Sequence, residues 1–109
     1  MVDLDDLQKQ IYQNKIDKGF DITDSKENVY RQFCYIQGEV AEAFEAYHKH
    51  TGELAEELSD VVIYILGMCE ILGISLEKEM LAKFEKIKKR KYVNIQGSML
   101  KVDDKKVNK

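Results

Sequence analysis

Apolar residues recur along most of the chain at steps of three and four, the spacing that lines one face of an α-helix. Leu4, Leu7 and Ile11 form the first stripe, with Asp3 placed to cap it and Gly19 to end it. Gly19 to Thr23 then reads as a loop, and Asp24-Ser25-Lys26-Glu27 has the form of a capping box. The second stripe is the cleanest: Val29, Phe33, Ile36, Val40, Phe44 and Tyr47 fall on one narrow face. His48-Lys49-His50-Thr51-Gly52 breaks that pattern. Thr51 or Gly52 can start a third helix, with Glu53 in its first turn, where a negative charge suits the helix dipole.

Val61 to Leu72 reads VVIYILGMCEIL, with Glu70 its one charge. A helix that is apolar nearly all round must be covered on nearly all sides. The run is shorter than the roughly 20 residues that span a bilayer, so it predicts a core helix. A chain this short has few elements to surround such a helix, and a dimer interface is expected to supply the rest. Gly73 closes it and Ser75 is placed to cap the fourth helix, whose inner stripe is Leu76, Met80, Phe84 and Ile87. That helix is expected to fade near Lys91 or Tyr92. Residues 93–109 read as a tail, in which Asn94-Ile95-Gln96-Gly97-Ser98-Met99 can form a turn or short hairpin before a disordered end. The pattern predicts one all-α domain over residues 1–92, a four-helix bundle completed by dimerisation.

Composition narrows the class. The 109 residues suffice for one domain with a modest core. Apolar residues make up 44% and charged residues 34%, which marks a globular rather than a disordered chain. Absence of proline suits long helices. A net charge of −3 argues against a nucleic-acid partner. The acidic start Met1-Val2-Asp3-Leu4-Asp5-Asp6 has no signal-peptide h-region, and no membrane association is expected. Cys34 and Cys69 lie in apolar-periodic segments without a Cys-x-x-Cys, which reads as reduced thiols in a cytoplasmic protein.

Charge is distributed unevenly. Glu39 to Asp60 holds seven acidic residues and one basic one, Lys49, whereas Lys83 to Lys91 holds six basic residues and one acidic one, Glu85. The basic run fits either a solvated helix C-terminus or a phosphate-facing surface. Glu39 and Glu42 are three apart on the second helix, as are Glu57 and Asp60 on the third, and such pairs share a helix face. A short connection favours antiparallel packing, which lets the pairs face each other. Glu57 lies within the apolar face of the third helix and Asp60 at its edge. Glu39 flanks the second stripe beside Ala43 and Ala46, small residues that allow close helix approach.

Two carboxylates about 4 Å apart repel by roughly 4 kcal/mol at an effective dielectric near 20. Four converging ones need protons or a cation, and Mg²⁺ is the natural candidate because it takes oxygen ligands and shares its sphere with phosphates. Ordinary solvated acids would instead have lysines at i,i+4, yet Lys49 is the one basic residue on the second helix that could partner Glu39, Glu42 or Glu45, and it is four from Glu45. Glu45-Ala46-Tyr47-His48 also has the Glu-x-x-His form of di-iron bundles, but no second such motif exists, and a surface histidine is the simpler reading.

At these residues the sequence resembles the MazG-like, all-α nucleoside triphosphate pyrophosphohydrolases, whose hallmark is E-x-x-E, a variable spacer, then E-x-x-D. Here the halves are Glu39-Val40-Ala41-Glu42 and Glu57-Leu58-Ser59-Asp60, fourteen residues apart. Glu56-Glu57-Leu58-Ser59-Asp60-Val61 is similar to the family's EEL-x-D run, and Ile71-Leu72-Gly73-Ile74-Ser75 to the break after its buried helix. Lys83, Arg90 and Tyr92 resemble the K…R-x-Y ending of its last helix; Asn14-Lys15 and Lys18-Gly19-Phe20 resemble a segment of phage-type members. The likeness covers about residues 4–92. Gly38 departs from the frequent E-E-x-x-E form, and Ile87 stands where a polar residue is common.

The resemblance implies hydrolysis of a nucleoside triphosphate to the monophosphate and pyrophosphate, with Mg²⁺ required, Mn²⁺ as a substitute, and a homodimer or homotetramer as the working form. It implies Glu42, Glu57 and Asp60 as direct ligands, Glu39 as a ligand or a water-orienting base, and Lys15, Lys18, Lys83, Arg90 and Tyr92 as substrate-binding residues. Two rivals remain: a phosphoribosyl-ATP pyrophosphatase with the same fold and chemistry, and a catalytically weak helical nucleotide-binding or assembly module, for which Gly38 is the hint.

Overall fold

The computed structural model describes residues 2–102. Its elements are α1 (Leu4–Asp17), α2 (Lys26–His48), α3 (Leu54–Ile71) and α4 (Leu76–Lys88), then a hairpin of β1 (Tyr92–Ile95) and β2 (Ser98–Lys101). The chain divides into two compact units, Met1–Glu77 and Lys78–Lys109. The disorder expected at the end of the tail concerns residues 103–109, which lie outside the described residues.

In the first unit, α3 packs against both α2 and α1. Asp3 caps α1 by accepting from the Asp6 N–H at 3.0 Å. Gly19, at φ +82°, ends it in the left-handed conformation that lets the Phe20 N–H reach back to the Lys15 carbonyl at 2.9 Å. The cap of α2 is Ser25, which accepts from the Asn28 N–H, so the box sought at Asp24 does not form. The reason is positional: Ser25 is the last residue with extended backbone, and Asn28 rather than Glu27 stands three beyond it. α3 begins after Glu53, with no side chain capping it; Thr51 Oγ1 accepts from the Glu53 N–H instead of capping the helix. Gly73, at φ +70°, closes α3, and the Ile74 N–H bonds to the Cys69 carbonyl at 2.8 Å.

The face that α2 buries departs from the sequence expectation. Its buried residues are Asn28, Gln32, Ala43 and Ala46, whereas Phe33, Val40, Phe44 and Tyr47 of the apolar stripe are exposed, Phe44 at 63%. The two alanines are small enough for close helix packing, and turning them inward brings Glu39 with them and leaves the bulky stripe outside. On α3, Leu66, Gly67 and Cys69 are buried, while Leu58, Val62, Ile63 and Leu72 stay exposed. The charge in the apolar run has a partner: Glu70 Oε1 accepts from Gln8 Nε2 at 3.0 Å. Gln8 is itself buried, and it also donates to the Ile74 carbonyl and accepts from the Leu76 N–H, which ties α1 to the turn after α3.

α4 ends at Lys88, earlier than its pattern suggested, and it buries none of its residues; Met80 and Phe84 of the expected inner stripe are exposed. A tightened last turn, Lys89 N–H to Lys86 and Arg90 N–H to Ile87, leads out of the helix. The hairpin pairs Tyr92 with Lys101 and Ile95 with Ser98. Its two-residue loop, Gln96-Gly97, has both φ values positive, as a tight turn matched to strand twist requires. The fold is therefore helical except for this hairpin. Among the described residues no single helix is long and apolar enough to cross a membrane.

Candidate metal centre

The packing of α2 on α3 determines where the acidic pairs meet. Ala43 and Ala46 are buried, and Glu39, one turn before Ala43, is carried into the same interface. Glu57 and Asp60 sit in the first half of α3. Glu39, Glu57 and Asp60 each offer a carboxylate oxygen, all within 4.8 Å of one another. Glu42 stands beside Glu39 and Glu57, close enough to hydrogen-bond with either when a proton is shared.

Burial and neighbouring charge act on Glu39 and Glu57. Burial, and then the charge of Glu42, raises the Glu39 carboxyl above its ordinary value, with Asp60 and Glu57 adding to the effect. Burial, then Glu42 and Asp60, raises Glu57 likewise. Glu39 Oε2 and Glu57 Oε2 are buried without a hydrogen-bond partner among the described residues. A buried acceptor left unpaired costs roughly 1–3 kcal/mol, and more when charged. A cation with oxygen preference satisfies both atoms, so the donor set fits a hard divalent ion such as Mg²⁺.

A second acidic group, Asp3, Asp5 and Glu77, lies near the start of α1. Each of the three carboxylates already accepts a hydrogen bond: Asp3 caps α1, Asp5 accepts from the Ser75 hydroxyl at 2.6 Å, and Glu77 accepts from the Leu4 N–H at 3.1 Å. These contacts fix the chain start to the region around the start of α4 and explain the acids without an ion.

Two clefts lie in the first unit. One, of about 370 Å³, is lined by Glu42, Glu57, Lys49 and Thr51. The other, also about 370 Å³, is lined by Asn14, Lys15, Phe20, Gln32, Tyr35 and Tyr64. Tyr64, four residues after Asp60, links this cleft to the acids: burial raises its hydroxyl's pKa first, then the charge of Glu39, with Asp60 and Glu42 contributing. Tyr35 lies against it with ring centroids 5.8 Å apart, and Lys15 Nζ sits 5.4 Å from its ring centre. Burial lowers the Lys15 pKa.

The other expected substrate-binding residues are placed as follows. Lys18 is exposed at the end of α1. Lys83 is exposed on α4, Arg90 is half-buried just beyond it, and Tyr92 opens β1, all in the second unit. Glu45 and His48 make no Glu-x-x-His site: Glu45 pairs with Lys49 at 3.0 Å and His48 stacks on Phe44. Gln32, Tyr35 and Tyr64 belong to neither acidic motif, and the sequence did not mark them as site residues. With the buried face of α2 known, Asn28, Gln32, Tyr35, Glu39, Ala43 and Ala46 recur at steps of three and four as one polar and small stripe.

Comparison with known proteins bears on the same segment. Neither curated proteins nor solved structures give a significant match. A family model described as the MazG nucleotide pyrophosphohydrolase domain matches residues 31–93, a span that holds all four carboxylates. The paired E-x-x-E and E-x-x-D helices and this match over more than half of the chain together show that the protein belongs to the MazG nucleotide pyrophosphohydrolase family.

Proposed function

We propose that the chain hydrolyses a (deoxy)nucleoside triphosphate to the nucleoside monophosphate and pyrophosphate in a Mg²⁺-dependent reaction, as part of nucleotide-pool house-cleaning in the cytoplasm. The observation that carries this reading is the pair of buried, unpartnered oxygens, Glu39 Oε2 and Glu57 Oε2, within the carboxylate cluster. An acidic site repels a triphosphate unless a cation stands between them. Glu42, Glu57 and Asp60 are the proposed direct ligands, with Glu39 holding the attacking water or completing the set. When bound, Mg²⁺ neutralises phosphate charge and makes water more acidic; Mn²⁺ shares that chemistry.

The water adds across the anhydride between the α- and β-phosphoryl groups, so that one P–O bond forms as another breaks and the two products share the water's protons. The cleft of Lys15, Gln32, Tyr35 and Tyr64, whose Tyr64 feels the charge of Glu39, suits the nucleoside, with aromatic rings for its flat faces. Roles for Lys18, Lys83, Arg90 and Tyr92 as phosphate-binding groups rest on the sequence resemblance. A homo-oligomer, dimer or tetramer, is part of the proposal; the exposed Phe33, Val40 and Phe44 of α2 support it.

A panel of canonical and modified nucleoside triphosphates, together with phosphoribosyl-ATP, tests the reading. Pyrophosphate and monophosphate release with Mg²⁺, and none with chelator, is the expected result. Preference for phosphoribosyl-ATP would move the enzyme to histidine synthesis, and no release from any substrate would leave a binding module.

A further inference from the structure

The cleft lined by Lys15, Gln32, Tyr35 and Tyr64 ends on a chain of hydrogen bonds whose direction is fixed from both sides. At one end are the carbonyl oxygens of Asp21 and Thr23, which can only accept. Asn28 Nδ2 donates to them at 3.2 and 2.8 Å. Asn28 is only 1% exposed. Its Oδ1 accepts from Gln32 Nε2 at 3.2 Å and from Arg31 Nη1 at 3.4 Å. Gln32 is 4% exposed, and its Oε1 accepts from Lys15 Nζ at 3.3 Å. An ammonium can only donate. Acceptors at one end and a donor at the other agree, so turning either amide over would set like against like in a buried site.

Lys15 reaches Gln32 because α3 carries glycine at position 67. A Cβ there would stand 2.8 Å from Lys15 Cε and 3.4 Å from its Nζ. The glycine occupies a helix interior, where alanine is the better helix former. Helix formation therefore does not account for it, whereas passage of the lysine does.

We propose that this directed chain reads the base. Lys15 and Gln32, both lining the cleft, present it with a fixed donor and a fixed acceptor, so the site separates amino from keto bases of equal size. The proposal rests on the pyrophosphohydrolase reading given above. Cytosine and uracil share one ring but invert donor and acceptor along the same edge, and adenine and guanine do so at their corresponding positions. A freely turning amide would accommodate both members of a pair; one locked by Asn28 accommodates one. Asn28 acts as a positioning residue.

The test is kcat/KM for UTP against CTP, and for GTP against ATP, with Mg²⁺, in the wild type, Gln32→Met and Gly67→Ala. The wild type is expected to prefer one member of a pair by about tenfold or more, the scale of one correctly against one wrongly placed polar group. Gln32→Met should bring that ratio near one. Gly67→Ala should do the same, chiefly through KM, while its melting temperature stays level or rises. A merely structural role for the chain predicts equal losses on all four nucleotides with the ratio kept. A wild type without preference, or a ratio that both variants preserve, overturns the proposal. A wild type that hydrolyses no nucleoside triphosphate defeats the hydrolase reading itself, and this one with it.

Discussion

Four carboxylates are the proposed ligands of this site, and their separate contributions are measurable. Glu57→Gln and Asp60→Asn each keep shape while removing a charge, so both should leave the helices intact and lose most activity. The loss should exceed the roughly 10–100-fold that follows removal of an outer-shell partner of a metal. Glu45→Gln should cost far less, because Glu45 pairs with Lys49 outside the cluster. Equal damage in all three would point to a generally acidic surface. Without metal, Glu39 and Glu57 are raised above the ordinary value of 4.5 by burial and by their acidic neighbours. The folded state then holds protons that the unfolded chain has released, so stability falls as pH rises from about 4.5 through the raised values. Asp21 acts in the opposite sense below 3.8, since its hydrogen bonds from Thr23 lower it, and it leaves that window untouched. The metal-free protein should therefore melt lower at about pH 7 than at about pH 5, and Mg²⁺ should reduce the difference; a metal-free melting temperature that rises over that interval contradicts the assignment. At this scale the acids were legible because spacing alone aligns them. Asn28 and Gln32 were not, since polar residues on a helix ordinarily face water and only the fold shows them buried.

Among the elements, α2 shows where pattern reading succeeds and where it misleads. Its existence and length follow from periodicity, and Ala43 and Ala46 signalled close approach of a neighbour. Which of its two faces meets α3 did not follow, because the apolar stripe is the stronger signal and points away. Hydrophobicity identifies a face that must be covered; it does not say by which chain. The cap of α2 is a further case. Ser25, not Asp24, holds the Asn28 N–H, so Ser25→Ala should cost about 1 kcal/mol in urea unfolding at fixed protein concentration, and Asp24→Ala markedly less. The reverse order would move the start of the helix. The hairpin was readable only as one option, since Gln96-Gly97 suits a tight turn but four-residue strands give little alternation to recognise.

For the whole molecule, the stripe of α2 is an apolar surface left open in the protomer. Phe33, Val40, Phe44 and Tyr47 together exceed what isolated exposed side chains explain, and a second copy of the chain is the proposed cover. Phe33→Asp and Phe44→Asp replace exposed residues, so each should leave the helical signal of the protomer and lower its mass in light scattering. A folded wild-type monomer at micromolar concentration would remove the oligomer from the account. The sequence expected assembly through the third helix, from a run apolar on almost every face. In the fold, α1 and α2 cover part of that helix, and Leu58 and Val62 remain exposed on it.

The central claim is that Glu39, Glu42, Glu57 and Asp60 form one divalent-cation site. Thermal melting of the wild type and of Glu57→Gln, with and without millimolar Mg²⁺ and with a non-hydrolysable nucleoside triphosphate, tests it most directly. Mg²⁺ should stabilise the wild type, by about 2.7 kcal/mol at a hundredfold excess over its dissociation constant, more so with nucleotide present. Glu57→Gln should melt at or above the wild type without metal and gain little from its addition. A wild type whose melting temperature ignores Mg²⁺, with and without nucleotide, contradicts the site.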